Sequence, residues 1–382
     1  MPAFDLIVLG AGPAGSTAAF VAASKGLSVA LVDKAKFPRD KLCGGGFTGR
    51  STKYFRDAFG QDAPDVPMRR FHRVSFHAFG QKLGTYDDIP PLDLLMRTDL
   101  DAALVQLAKD AGAACYLGTA PQVQSLDAPC VRVGAQTLTA PILIAADGAN
   151  SQTAKALFGD AFDRDQIGFA LELEYPGNHP DAELRIDFGA ADWGYGWHFP
   201  KQGSITVGVG GVMRRNPDMK AHMARYMDDL GLKTGAKVKG QFLPFGGFRA
   251  MPGKGRVLLA GDAAGLVDPI TGEGIAFAIR SGHMAANAVI EAAHEPDRAL
   301  RLYKHALRPI HRAIRQARMI RPILFLPQFQ ATFINRFRAS RTLRREYLYL
   351  LAGEREYGEI TLALLGRLPS YFLPRSRQKA AS

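Results

Sequence analysis

The chain has 382 residues, of which 47% are hydrophobic and 22% charged, with 40 glycines and a formal net charge of +12. This balance excludes disordered and fibrous classes and leaves room for two intimately joined domains around a sizeable core. Its three cysteines, Cys43, Cys115 and Cys130, form no CxxC pair and no cluster spacing, so dithiol redox chemistry and iron–sulfur ligation are unsupported, no metal site is expected, and the chain reads as reduced and cytoplasmic. Neither a signal peptide, a transmembrane span nor an internal repeat is apparent.

Phe4 to Leu9 is an apolar run of strand length that feeds Gly10-Ala11-Gly12-Pro13-Ala14-Gly15 and then the alanine-rich stretch Ser16 to Ser24. The order is strand, glycine turn, helix. Gly10 permits a tight turn, Gly12 lets a pyrophosphate approach the backbone, and Gly15 lets helix and strand pack closely, while free N–H groups at the helix start face the phosphates. A second strand, Ser28 to Val32, ends at Asp33, which lies 18 residues beyond Gly15 and can accept hydrogen bonds from an adenosine ribose. A second glycine loop follows at Cys43-Gly44-Gly45-Gly46.

Alternation at Phe71 to Tyr86 predicts strands of a second sheet, and Arg97 to Gly112 predicts a helix that returns to the first layer. Arg97 suits a phosphate, or as a plain helix-start arginine it pairs with Asp99 and Asp101. Gln122 to Ile144 alternates around turns and ends in the strand Ile142 to Ala146, which delivers Asp147-Gly148; Asp147 is a cofactor ligand or a turn cap. Residues 166–250 read as sheet-rich. Within them Tyr195, Trp197 and Phe199 fall on one face of an extended segment, followed by Gly208 and Gly210, and form either an apolar wall for a substrate or a core stripe. His198 points the other way.

Gly255 to Ala260 predicts another buried strand with Gly261-Asp262 at its carboxyl end, where open α/β sheets put their ligands. Asp262 is placed to bond a sugar-like hydroxyl. The turn Thr271-Gly272-Glu273-Gly274 then opens a helix from Ile275 to His294, whose positive end would stabilise negative charge on a reduced flavin ring. From about residue 284 the chain reads as mainly helical. Residues 301–350 hold twelve Arg or Lys against Glu346 alone, interleaved with Ile320, Leu324, Phe325, Phe329, Phe333 and Phe337. That is a basic amphipathic surface suited to anionic headgroups or a prenyl diphosphate, or a solvated helical face. Nucleic acid is not expected, because no recognition motif accompanies the charge.

In this order, the glycine turn Gly10 to Gly15, Lys41 to Gly46, Arg97, Asp147-Gly148, the Tyr195-x-Trp197-x-Phe199-Pro200 block with Gly208 and Gly210, Gly261-Asp262 and Pro269 to Gly274 resemble the geranylgeranyl reductase family, FAD proteins with the p-hydroxybenzoate hydroxylase fold. The resemblance covers nearly the whole chain. It implies an α/β fold with a Rossmann-like FAD-binding domain (residues 1–65, 93–165 and 251–295), interleaved with a substrate-binding β-sheet domain (66–92 and 166–250), and a helical basic C-terminal region (296–382). It assigns FAD to Gly10, Gly12, Ala14, Gly15, Asp33, Cys43, Gly44, Gly45, Gly46, Arg97, Asp147, Asp262, Gly272, Gly274 and Ile275. It gives Tyr195, Trp197, Phe199, Gly208 and Gly210 to the substrate, with Cys43, Tyr195 and Trp197 as the catalytic set.

The activity so implied is saturation of carbon–carbon double bonds of a geranylgeranyl-type isoprenoid, with NADPH or reduced ferredoxin as electron donor. Only one dinucleotide fingerprint exists, so NADPH would dock transiently, and a basic surface would attract an acidic electron-carrier protein. Peripheral membrane contact would run through the basic C-terminal region. Two other readings of the same scaffold stand beside it. One is a flavin monooxygenase or halogenase that oxidises an aromatic substrate with oxygen, although Tyr195 and Phe199 depart from the halogenase pattern WxWxIP. The other is a cluster-free electron-transfer flavoprotein that delivers electrons to quinone.

Overall fold

The computed structural model describes residues 2–87, 89–233 and 235–359. The apolar runs Leu6–Leu9, Val29–Asp33 and Ile142–Ala145 are buried along their length, as parallel strands are when helices cover both faces. With Ala114–Leu117 and Val257–Leu259 they form a parallel sheet whose spatial order is third, second, first, fourth and fifth by chain position, and Gly253–Lys254 adds an antiparallel edge. This is Rossmann order, and its switch point lies between Leu6–Leu9 and Ile142–Ala145. A Cβ at Gly10, whose φ is +93°, would sit 2.3 Å from the Ala146 carbonyl oxygen, so only glycine lets the two strand ends meet. The helix Pro13–Ala23 packs against both Arg97–Asp110 and Ile275–Ala292.

A seven-stranded sheet forms the second layer, in the order Lys239–Leu243, Gly168–Pro176, Ser204–Val212, Tyr195–Pro200, Arg185–Phe188, Val74–Ala78, Gln81–Tyr86. All pairs are antiparallel except Arg185–Phe188 with Val74–Ala78. Val74–Ala78 and Gln81–Tyr86 place the alternation expected from Phe71 to Tyr86 in this sheet, Phe71 excepted. Met68–Phe71 turns away to pair with Leu92–Leu95, which also pairs with Gly46–Phe47, and the Arg70 guanidinium grips Asp93 across that ladder at 2.8 Å. This small sheet ties the second glycine loop to the seven-stranded layer.

The C-terminal helices Arg308–Phe325, Pro327–Ala339 and Arg341–Leu351 correct the reading of residues 301–350 as a surface amphipath. Leu324, Phe325, Phe333 and Phe337 are buried against the seven-stranded sheet, with Phe337 stacked on Phe76 and Phe325 tilted against Phe188. That apolar stripe is core because it packs on Phe76, Ile186 and Phe188 of the sheet. Arg321 is also buried: it donates to the Trp193 carbonyl and lies over the rings of Trp193, Phe245 and Phe325. Outside remain Arg312, Arg315 and Arg318, beside Met319 and Ile323, which are 77% and 56% exposed. Residues 360–382 of the expected C-terminal region lie outside the described residues. Among the described residues no helix is long and apolar enough to cross a membrane.

Candidate active site

One cavity of about 890 Å³ runs from the glycine turn at Gly10 past the Cys43–Gly46 loop to an apolar end between the two sheets. At its polar end, Gly12 opens the helix Pro13–Ala23, which no side chain caps, so its first N–H groups face the cavity. A Cβ at Gly12 would lie 3.5 Å from the guanidinium of Arg39 and 4.0 Å from that of Arg97. Asp101, fully buried, holds both cations: Arg97 through two bonds of 2.7 and 2.8 Å, and Arg39 at 3.0 Å. The two readings of Arg97 therefore coincide, since its ion pair with Asp101 aims it at the turn. Burial opposes the Arg97 charge, but Asp101 outweighs it and keeps the pKa above its ordinary value. Asp33 accepts the backbone N–H groups of Ala11 and Ala35 at 2.7 and 2.8 Å, which fixes its carboxylate beside the turn with acceptor capacity to spare.

Asp147 follows the capping alternative of its two readings. Its carboxylate accepts the Ser151 hydroxyl at 2.5 Å and the backbone and side chain of Thr153 at 3.2 and 3.1 Å, so it supports Ser151, the N-cap of the helix Gln152–Phe158. Asp147 still borders the cavity at the strand end. Asp262, in contrast, points into it with Lys41 and Arg97 nearby; burial raises its pKa and the two cations oppose that shift. Burial in turn lowers the pKa of Lys41, reinforced by Arg97 and opposed by Asp262.

The turn Thr271 to Gly274 is braced from outside the cavity. Glu273 is gripped by Arg50 and by the Thr48 hydroxyl, and Arg50 also reaches Glu356 and the Arg355 carbonyl. Asp268 accepts the N–H groups of Ile270 and Thr271 and the hydroxyl of Tyr357. Burial works against the Arg50 charge, but Glu273, Glu356 and Asp268 outweigh it and hold its pKa above the ordinary value. The turn thus presents Gly272, Gly274 and the uncapped start of Ile275–Ala292 to the cavity in a fixed pose.

Tyr195, Trp197 and Phe199 form one wall of the apolar end, and Phe199 closes on the second glycine loop: a Cβ at Gly44 would lie 3.0 Å from its ring. His198 faces away and bonds the Glu183 carbonyl at 2.9 Å. Gly208 and Gly210 do not line the cavity as expected. They stand opposite Trp197 and Tyr195 in the next strand, and a Cβ at Gly208 would meet the indole at 2.3 Å, so these glycines make room for the aromatic wall rather than touch a substrate. Tyr195 is also reassigned: its hydroxyl donates to the Thr271 carbonyl at 2.6 Å, and burial raises its pKa further from physiological range, which makes it a brace between wall and turn and a poor proton donor. Cys43 borders the cavity, its sulfur accepting the Gly45 N–H at 3.4 Å.

The FAD dependent oxidoreductase family matches residues 5–148. A menaquinone reductase of Mycolicibacterium smegmatis is 33% identical over 74% of this chain and 75% of its own length. The chain belongs to the geranylgeranyl reductase family of FAD-dependent oxidoreductases. A geranylgeranyl diphosphate reductase of Rhodobacter capsulatus, another relative, is 29% identical over 75% of each chain. The solved structure of a geranylgeranyl bacteriochlorophyll reductase-like protein from Thermoplasma acidophilum shares the fold, with a TM-score of 0.76 at 23% identity over 96% of this chain and 99% of that one.

The donors fit FAD. An uncapped helix start, two guanidiniums fixed by one carboxylate and a bare glycine between them suit a pyrophosphate, and Asp33 and Asp262 suit the hydroxyls on either side. In this geranylgeranyl reductase relative, Arg39, Glu172 and Lys201 join the site although nothing in the sequence singled them out, and Asp101, expected only as an ion-pair partner of Arg97, joins it too. Asp101 had a signal, its i,i+4 spacing from Arg97. Arg39 and Lys201 are brought in by loops, and Glu172 sits mid-strand among apolar residues, with nothing local to mark them.

Proposed function

We propose that this enzyme saturates carbon–carbon double bonds of a polyprenyl chain. Menaquinone and geranylgeranyl diphosphate, the compounds named for two of its relatives, both carry such a chain. The observation that carries the reading is continuity: the cavity that begins at a nucleotide cradle ends between the aromatic wall and the apolar side chains of Ile186, Phe188, Leu243, Phe245 and Ile270. A chain of isoprene units has no polar group along its length and would be recognised by shape and burial alone.

Bound and reduced, FAD supplies a hydride to the alkene. The protein's own part is orientation and exclusion of water. Tyr195, braced on Thr271, and Phe199, pressed against Gly44, hold the wall at a fixed angle to the glycine loop, so an alkene lying on the indole of Trp197 is held against that loop. Electrons come from NADPH docking transiently or from reduced ferredoxin, an acidic carrier drawn to the basic surface.

The purified yellow protein, reduced anaerobically with dithionite, should be reoxidised in stopped flow by geranylgeranyl diphosphate or menaquinone, with the prenyl chain itself, resolved from any quinone ring by fragment mass after air reoxidation of the quinol, gaining hydrogen atoms in pairs. Failure of every prenyl compound, together with oxygen-dependent hydroxylation of an aromatic substrate, would overturn the reading. Preference for one lipid over the other would identify the head group.

A further inference from the structure

Glu172 is a carboxyl in the cavity wall that neither the nucleotide cradle nor the aromatic wall uses. It stands in Gly168–Pro176 between Gly208 and Lys239 of the flanking strands and is 4% exposed. Its Oε1 accepts the Cys43 N–H at 2.6 Å, while its Oε2 is buried without a hydrogen-bond partner. Trp197 is in the same condition, its Nε1 buried and unpartnered.

Buried polar atoms left in this state are rare and cost stability, and two of them line one cavity. Gly208 explains how they come together. A Cβ there would lie 2.8 Å from the Glu172 Cβ and 2.6 Å from the Cε2 of Trp197, so the carboxyl and the indole edge share the face that glycine leaves bare. A Cβ at Gly44 would be 3.5 Å from the indole nitrogen, and Glu172 holds the N–H of the residue before it. Both orphaned atoms therefore gather at the Cys43–Gly44 loop.

We propose that Glu172 is the catalytic acid of the alkene reduction, protonating through Oε2 the carbon that does not receive the hydride. The proposal rests on the reductase reading given above. The alkene's π pair takes the carboxyl proton to form one C–H bond, which leaves Glu172 as a carboxylate and positive charge on the more substituted carbon. Hydride from the reduced flavin forms the second C–H bond, and solvent later reprotonates the carboxylate. The aromatic wall beside the reacting carbons stabilises the transient positive charge.

The surroundings supply the proton at neutral pH. Burial raises the Glu172 pKa to about 7, with Glu174 adding to the rise; Lys201, the Cys43 N–H and Lys41 oppose it. Lys239, the partner on the outer strand, is engaged by Asp40. Lys201 bonds the Cys43 carbonyl at 3.3 Å and reaches Glu174 at 3.5 Å, so its charge is divided between the loop and the second carboxylate.

The test compares the wild-type holoprotein with E172Q, whose amide oxygen can still accept the Cys43 N–H, and with E172D, which shortens the acid's reach without removing it. Infrared difference spectra between pH 6 and pH 8, taken without substrate, should show a protonated carboxyl band in the wild type that E172Q lacks. Anaerobic reoxidation of the reduced protein by the prenyl substrate should slow by roughly 10²–10³-fold in E172Q relative to reoxidation by dioxygen, which needs no acid at carbon. The wild-type rate should fall as pH rises through about 7, the E172Q remainder should stay flat there, and E172D should recover part of the loss.

A missing band, or a prenyl-dependent rate in E172Q equal to that of the wild type, would overturn the acid assignment and leave the reductase standing. A wild-type protein that reacts with no prenyl compound would overturn both.

Discussion

At the residue scale, the site depends on which polar atoms are already spoken for. Tyr195 carries the most obvious acidic hydroxyl on the wall, yet its proton is committed to the Thr271 carbonyl. Glu172 stands mid-strand and keeps one oxygen free. Its proton also links to stability. Between the ordinary 4.5 and about 7 the folded chain holds a proton that the unfolded chain has released, so raising the pH through that interval destabilises the fold, and below it the two states do not differ at this group. Denaturant unfolding at a series of pH values should show a decline over this interval that is absent in E172Q. Equal slopes in the two proteins would mean that Glu172 titrates normally.

At the element scale, the turn that opens Ile275–Ala292 is positioned from three directions: by Gly49–Phe59 through Arg50, by the wall strand through Tyr195, and by the segment after the last described helix through Glu356 and Tyr357. Arg50 and Glu273 have side chains only 3% and 6% exposed. Removing the guanidinium strands a buried carboxylate, so R50M should cost about 3–5 kcal/mol in urea unfolding. Its FAD should also dissociate more readily on dilution, because the helix start that lines the cavity would lose its brace. An R50M protein as stable as wild type would show that Glu273 is satisfied without Arg50. The elements themselves were largely legible in advance. The periodicity of Leu6–Leu9, Arg97–Asp110 and Ile275–Ala292 follows from burial on known faces, and the structure places these elements within a few residues of expectation. The parting of Met68–Phe71 from Val74–Ala78 was not legible, because alternation states that a strand has two faces and not which sheet it joins.

At the scale of the whole molecule, burial of Phe325, Phe333 and Phe337 turns the C-terminal helices into a cover of the seven-stranded sheet and leaves a smaller outward patch: Met319, Ile323 and the 40% exposed Phe329 beside Arg312, Arg315 and Arg318. We propose that this patch meets an anionic lipid surface, where a polyprenyl substrate resides. The protein should sediment with vesicles containing anionic lipid and be released as salt screens the arginines, while neutral vesicles leave it in solution. M319S together with I323S, which leave the charge unchanged, should reduce that binding severalfold. Equal binding by this double variant would assign the effect to net charge alone.

By itself the sequence determined the nucleotide cradle and the aromatic wall. Each is a local pattern in which neighbouring residues set the backbone path: a glycine turn between strand and helix, a glycine turn before a long helix, and three rings at a spacing of two. Tertiary structure decided the rest, because hydrogen-bond partnership is long-range. Asp147 spends its carboxylate on a helix cap, Gly208 and Gly210 yield their space to the rings, Arg39 and Arg97 are joined by Asp101, and Glu172 is brought to Cys43 from 129 residues away. Whether a polar atom is satisfied is known only when the chain has closed around it.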